Sequence, residues 1–210
     1  MASKATWKVD TIAGSNPVID MTKQSADSHS GNYAVLFGTQ TEETDQSVTQ
    51  EVTITSDTTY LGFWSNSIII GSESEHYIEV KLGSVQSAKW TSANQNEVYG
   101  NPADMDNNGY AYVVLDIPAE AHQACDYSRC ELTFHGYSTG VKGPTTKRTA
   151  GLQGLIDDVT LGTCTSMSEN ECSNAKNSKC AWCGSQNMCL DKDASCTECR
   201  AYASVADDTH

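Results

Sequence analysis

No cysteine occurs in the first 124 residues of this 210-residue chain; all nine follow, seven of them between Cys164 and Cys199. The front part must therefore hold together by burial, while the short rear part, too small for a core of its own, needs covalent or metal staples. Positive charge is scarce as well: 13 basic residues stand against 27 acidic ones, for a net charge of −14. Such a surface repels phosphate backbones and anionic lipid heads, which argues against nucleic acid and membrane-surface partners. It attracts cations, with Ca²⁺ the first candidate. No apolar run is long enough to span a bilayer, so no membrane insertion is expected. There is no Asn-x-Ser/Thr sequon, and the opening Met1-Ala2-Ser3-Lys4-Ala5-Thr6 is too polar for a secretion signal. Cysteine density nonetheless indicates an oxidising compartment, so the expectation is a mature or excised piece of a secreted, extracellular protein with an added initiator Met.

No stretch shows a convincing helical period. Instead, apolar residues alternate with polar ones in short runs separated by turn-forming residues. Val48, Val52 and Ile54 alternate with Thr49, Glu51 and Thr53, and Ile78, Val80 and Leu82 with Tyr77, Glu79 and Lys81. Leu61 and Phe63 interleave with Tyr60, Gly62 and Trp64, and Ala111, Val113, Leu115 and Ile117 with Tyr112, Val114 and Asp116. Period two with β-branched and aromatic enrichment marks strands with one buried face. Thr6–Val9, Tyr33–Phe37, Ser84–Trp90, Glu131–Gly136 and Leu155–Leu161 are further strand candidates. The pattern predicts an all-β, antiparallel two-sheet sandwich over residues 1–163, a disulfide-rich module over 164–199 and a tail or linker over 200–210.

The cysteines allow two chemistries. Cys180-x-x-Cys183 and Cys196-x-x-Cys199 resemble two thiolate pairs of a zinc site, but the interval between them is short and three further cysteines go unexplained. Disulfides are the expectation. Cys125 and Cys130 enclose four residues and would clip a loop just before a strand. Cys164, Cys172, Cys180, Cys183, Cys189, Cys196 and Cys199 would then supply three more bridges and one spare thiol, with connectivity open.

The segments Ser30-Gly31-Asn32-Tyr33-Ala34-Val35-Leu36-Phe37-Gly38, Val48–Ile54, Thr59–Trp64, Leu132–Gly136 and Leu155–Leu161 together resemble the galactose-binding-like jelly rolls. That group includes many carbohydrate-binding modules and the MAM adhesion domains. The pattern Cys164-x7-Cys172-x7-Cys180-Ala181-Trp182-Cys183-x5-Cys189 is similar to a plexin–semaphorin–integrin (PSI) module. The first resemblance implies a structural Ca²⁺ site in which an acidic residue of the late strand, Asp157 or Asp158, joins one near the N-terminus, plausibly Asp20. The second implies that Trp182 packs against disulfides in a rigid spacer.

A second calcium expectation comes from Asp104-Met105-Asp106-Asn107-Asn108-Gly109, where Asp104, Asp106 and Asn108 space oxygen ligands as in the first half of a calcium loop. Leu115 stands where the bidentate Glu of an EF-hand belongs, and Asn108-Gly109 is by itself a hairpin signal. Sugar binding needs an aromatic platform with amides or carboxylates beside it. Trp7, Trp90, Tyr99 and Tyr137 are the aromatics least committed to an alternating core, and Trp90 with Asn94 and Asn96 forms the candidate glycan site; against this, a tryptophan at a strand end commonly packs into a sandwich edge.

Gly136-Tyr137-Ser138-Thr139-Gly140 matches a nucleophile elbow in letters, but Gly143-Pro144 follows where a helix is required, and nothing supports an enzyme. The expectation is a non-catalytic adhesion or assembly module of a matrix, cell coat or extracellular filament, acting through protein subunits and self-association. The alternative is a carbohydrate-binding module or lectin with glycan partners, calcium-dependent or not.

Overall fold

The computed structural model describes residues 7–13, 30, 34–38, 43–72, 74–94, 109–140, 151–174 and 179–192. Eleven strands run in chain order through them: β1 (Lys8–Ala13), β2 (Val35–Phe37), β3 (Glu43–Thr53), β4 (Tyr60–Ile70), β5 (His76–Leu82), β6 (Val85–Trp90), β7 (Ala111–Asp116), β8 (Arg129–Thr139), β9 (Gly151–Gly162), β10 (Cys180–Cys183) and β11 (Met188–Asp191). Two short helices accompany them, α1 (Ala119–Ala124) and α2 (Glu169–Asn174). The strands form a five-stranded sheet, β1-β3-β8-β5-β6, a four-stranded sheet, β2-β9-β4-β7, and a hairpin of β10 and β11. Every pairing is antiparallel. The all-β sandwich is as the alternation predicts.

The core between the sheets is built by the alternating positions. Val48 of β3, Leu61 and Phe63 of β4, Ile78, Val80 and Leu82 of β5, and Leu132 and Phe134 of β8 are all fully buried there. Gly136 lets the sheets approach: a Cβ at this position would sit 2.8 Å from the Cβ of Phe37 on the opposite sheet.

A second core was not foreseen. The outer face of the four-stranded sheet carries Tyr60, Trp64, Tyr112, Val114 and Leu155, and these bury against Cys164, Met167, Cys172, Cys180, Cys189 and the half-buried Trp182. The cysteine-rich segment is therefore a third layer laid on the sandwich. The first half of β4 and residues 111–115 of β7 are consequently apolar on both sides, which explains why Tyr60-Leu61-Gly62-Phe63-Trp64 and Tyr110–Leu115 contain no charged residue. Disulfides link Cys164 to Cys180 and Cys172 to Cys189 within this layer, and Cys125 to Cys130 at the turn that leads into β8. Cys183 is also disulfide-bonded, and Cys196 and Cys199 lie outside the described residues.

The two helices correct the expectation of none. Ala119-Glu120-Ala121-His122-Gln123-Ala124 is composed almost entirely of helix-favouring residues after Pro118, yet six residues are too few to display a period. Among the described residues, no helix is long and apolar enough to cross a membrane.

Candidate functional site on the outer face of the five-stranded sheet

With the four-stranded sheet covered, the outer face of the five-stranded sheet is the sheet surface left open among the described residues. Its side chains are the polar partners in the strand alternation, and the antiparallel register sets them in rows. One row runs Asp45 (β3), Tyr137 (β8), Tyr77 (β5). The next runs Asp10 (β1), Ser47 (β3), His135 (β8), Glu79 (β5), Lys89 (β6). A third runs Lys8 (β1), Thr49 (β3), Thr133 (β8), Lys81 (β5).

Tyr77 and Tyr137 stack at 5.0 Å between centroids, and the Lys89 ammonium lies 3.7 Å from the centroid of the Tyr77 ring. His135 meets Tyr77 edge-on at 5.9 Å. It is held between two carboxylates: Nε2 is 2.8 Å from Asp45 Oδ1 and Nδ1 is 3.1 Å from Glu79 Oε1. Both ring nitrogens thus have a carboxylate oxygen within hydrogen-bond distance, which fixes the orientation of the imidazole. Glu79 also pairs with Lys81, and Thr49 and Thr133 share a hydroxyl hydrogen bond of 3.1 Å. Burial alone would push the Glu79 carboxyl up, but hydrogen bonds and charge from Lys81 and His135 outweigh it and hold the group below its ordinary value. Burial, reinforced by the charges of Glu79, Tyr137 and Asp45, pushes the Tyr77 hydroxyl up.

The arrangement offers aromatic surface, carboxylate acceptors and hydroxyls within adjacent rows of one rigid sheet. It can hydrogen-bond a polyhydroxylated ligand and pack against its C–H faces. Of this set, only Tyr137 was singled out from sequence. Tyr77, Glu79 and Lys81 were visible as the polar half of a strand. The missed signal was two aromatics, Tyr77 and Tyr137, on positions whose neighbours two residues away are charged or polar.

Trp90 is not a sugar platform. It is fully buried, stacked on Phe63 at 5.8 Å in the inter-sheet core, because β6 turns this position inward. Asn94 spends its amide on the chain itself: Oδ1 accepts from the Thr91 N–H at 2.7 Å and Nδ2 donates to the Lys89 carbonyl at 3.1 Å. Asn96 lies outside the described residues, as do Asp20, Asp104, Asp106 and Asn108.

Asp157 and Asp158 break the rule that adjacent strand residues face opposite sides. The β4–β9 register slips between Gly62 and Trp64, and Asp158 takes a left-handed backbone at φ 48°. Both carboxylates consequently meet Ser30: its N–H donates to Asp157 Oδ2 at 3.2 Å and its hydroxyl to Asp158 Oδ1 at 2.7 Å. The Asp158 N–H donates back to Asp157 Oδ1 at 2.8 Å. No group of three or more ligating His, Cys, Asp or Glu side chains converges among the described residues.

Ser138, from the elbow-like motif, sits within β8 and points into the sandwich, where its hydroxyl lies 2.8 Å from Nδ1 of the equally buried His76. The Gly140 N–H donates to the same oxygen at 3.1 Å. A serine–histidine pair sealed in this way has no access to a substrate. Burial holds the His76 ring below its ordinary pKa, with the charge of Glu75 opposing.

No family model matches the chain, and no curated protein does. Among solved structures, a carbohydrate-binding module, TmCBM61, in complex with β-1,4-galactotriose is similar over 75% of this chain and 88% of that one, at 19% identity and a TM-score of 0.43. The K1 cleaved adhesin domain of Lys-gingipain from Porphyromonas gingivalis W83 is similar over 75% and 90%, at 11% identity and a TM-score of 0.45. The enzymatically active domain of tailspike protein 4 from bacteriophage CBA120 is similar over 74% of this chain but 19% of its own, at 15% identity and a TM-score of 0.37.

Proposed function

We propose that this chain is a non-catalytic, extracellular carbohydrate-binding module that holds a glycan across the outer face of its five-stranded sheet. The observation that carries the reading is the stacked Tyr77–Tyr137 pair with His135, Asp45 and Glu79 beside it, on the one sheet surface that packs against nothing else among the described residues. A sugar ring stacks on aromatic surface while its hydroxyls meet carboxylate oxygens. Native affinity electrophoresis against soluble polysaccharides tests it. Tyr137→Ala and Tyr77→Ala should abolish retardation with little change in melting temperature; retention undiminished in both variants refutes this face as the site.

The proposal includes a structural Ca²⁺ ion held by Asp157 and Asp158. Its support is the bulge that turns both carboxylates to one side, and an ion taking about six to eight oxygens needs more ligands than these two.

A second reading, self-association through protein contacts, also has an observation behind it. Edge strand β1 leaves Ile12 78% and Val9 42% exposed. An edge of that kind can pair with another chain. Light scattering over a concentration series tests it, with oligomers lost in Ile12→Asp as the supporting result.

A further inference from the structure

Resting on the glycan reading above, the geometry points to a narrower ligand class: a neutral glycan, with uronate, sialate and sulfated chains excluded. The argument lies in how charge is already committed on the face. Every cationic side chain there, among the described residues, has a partner within the sheet. Lys81 pairs with Glu79, and the His135 ring, whichever its charge, lies between the carboxylates of Asp45 and Glu79. Lys89 sits over the Tyr77 ring, Arg129 meets Glu51 at 3.1 Å, and Lys8 approaches Glu131 at 3.9 Å. To bind a carboxylate or sulfate, the face would have to draw Lys81, Arg129 or Lys8 away from a carboxylate that then repels the incoming anion, or lift Lys89 off the Tyr77 ring beside Glu79 and Asp45.

The acceptors are differently placed. The hydrogen bond from His135 to Asp45 uses Oδ1, so this partly exposed carboxylate keeps a second oxygen with lone pairs for a hydroxyl donor, while Glu79 is buried beneath the face. Neutral sugars present donors in abundance. The long-range field acts in the same direction, since a net charge of −14 repels polyanions before contact. The face therefore accepts hydroxyls locally and rejects anions both locally and at a distance.

The test is native affinity electrophoresis of the full chain against two panels. One is neutral, consisting of β-1,4-galactan, xylan and mixed-linkage glucan; the other is anionic, consisting of polygalacturonate, alginate and heparin. The expected result is retardation by a neutral polymer, insensitive to added salt, and none by the anionic panel. Glu79→Gln removes the partner of Lys81 and one partner of His135 while keeping side-chain shape, and it should gain salt-sensitive retardation on the anionic panel. Wild-type retardation by an anionic polymer overturns this inference and leaves the glycan reading standing. A Glu79→Gln variant with unaltered preference overturns it too, because the pairing would not be what excludes anions. Retardation by no polymer in either panel overturns the glycan reading and the inference with it.

Discussion

Replacing Trp90 by alanine separates a core tryptophan from a ligand platform. The side chain is fully buried, stacks on Phe63 at 5.8 Å and an interplanar angle of 18°, and belongs to the inter-sheet cluster with Ile78, Leu82 and Phe134. Removing so large a ring loses its transfer free energy and leaves a cavity that two rigid sheets cannot close, which costs about 3–5 kcal/mol. At ~2–4 °C per kcal/mol for a domain of this size, the melting temperature should fall by about 6–20 °C. Such a loss leaves a protein folded at room temperature when its stability lies in the middle or upper part of the usual range, ~8–15 kcal/mol. Thermal and urea unfolding followed by circular dichroism measure the loss, and affinity electrophoresis well below the lowered melting point measures binding. Binding should persist, because Trp90 points inward while its neighbour Lys89 points to the outer face. Trp90→Phe, which keeps a ring against Phe63, should lose less stability than Trp90→Ala. An unchanged melting temperature combined with lost binding would refute the reasoning and restore Trp90 as a platform.

Three further outcomes follow from the packing. The His76 pKa is depressed in the fold, so its neutral form is favoured there; its contribution to stability is full above the unfolded value of roughly 6.5 and is lost as pH falls through the folded value. Melting curves between about pH 7.5 and 5.5 should fall less steeply for His76→Gln than for the wild type, and parallel slopes would remove His76 as the cause. Deleting the Cys172–Cys189 bridge as a double alanine variant opens a loop with a sequence separation of 17 and should cost about 3 kcal/mol, read by urea unfolding, with glycan retention intact because that layer lies on the opposite side of the sandwich. For the proposed calcium ion, chelation should lower the melting temperature of the wild type and leave that of Asp158→Ala unchanged; no effect on the wild type would sink the ion.

Strand positions were largely legible because a half-buried strand writes its face into every second residue. Val48, Ile78 and Val80 were readable as core in this way, and their alternates, Thr49, Tyr77 and Glu79, belonged by the same parity to the opposite face. What parity cannot supply is neighbourhood. Asp45, Tyr77 and Tyr137 lie far apart along the chain, and they meet because β8 inserts between β3 and β5, a fact of sheet order that no local pattern records. Trp90 was ambiguous for a related reason: an aromatic at the last residue of a strand looks alike in sequence whether the register turns it inward or outward. Asp157 and Asp158 are visible as candidates in the sequence, but parity allows only one of them to face the site, and the bulge that turns both to Ser30 suspends that alternation. The doubly buried β4 and β7 did leave a trace, in aromatics on both parities, but that trace does not say what lies on the second side.

The cysteine-rich layer arrives last along the chain, and this gives the molecule an order of assembly. Until residues 164–192 have been made and oxidised, Tyr60, Trp64, Tyr112, Val114 and Leu155 form a greasy, uncovered wall on an otherwise complete sandwich. A nascent chain in that condition is a client for chaperones and a nucleus for aggregation. The Cys164–Cys180 and Cys172–Cys189 bonds then hold that cover together. Cutting the chain at residue 163 would leave that wall uncovered.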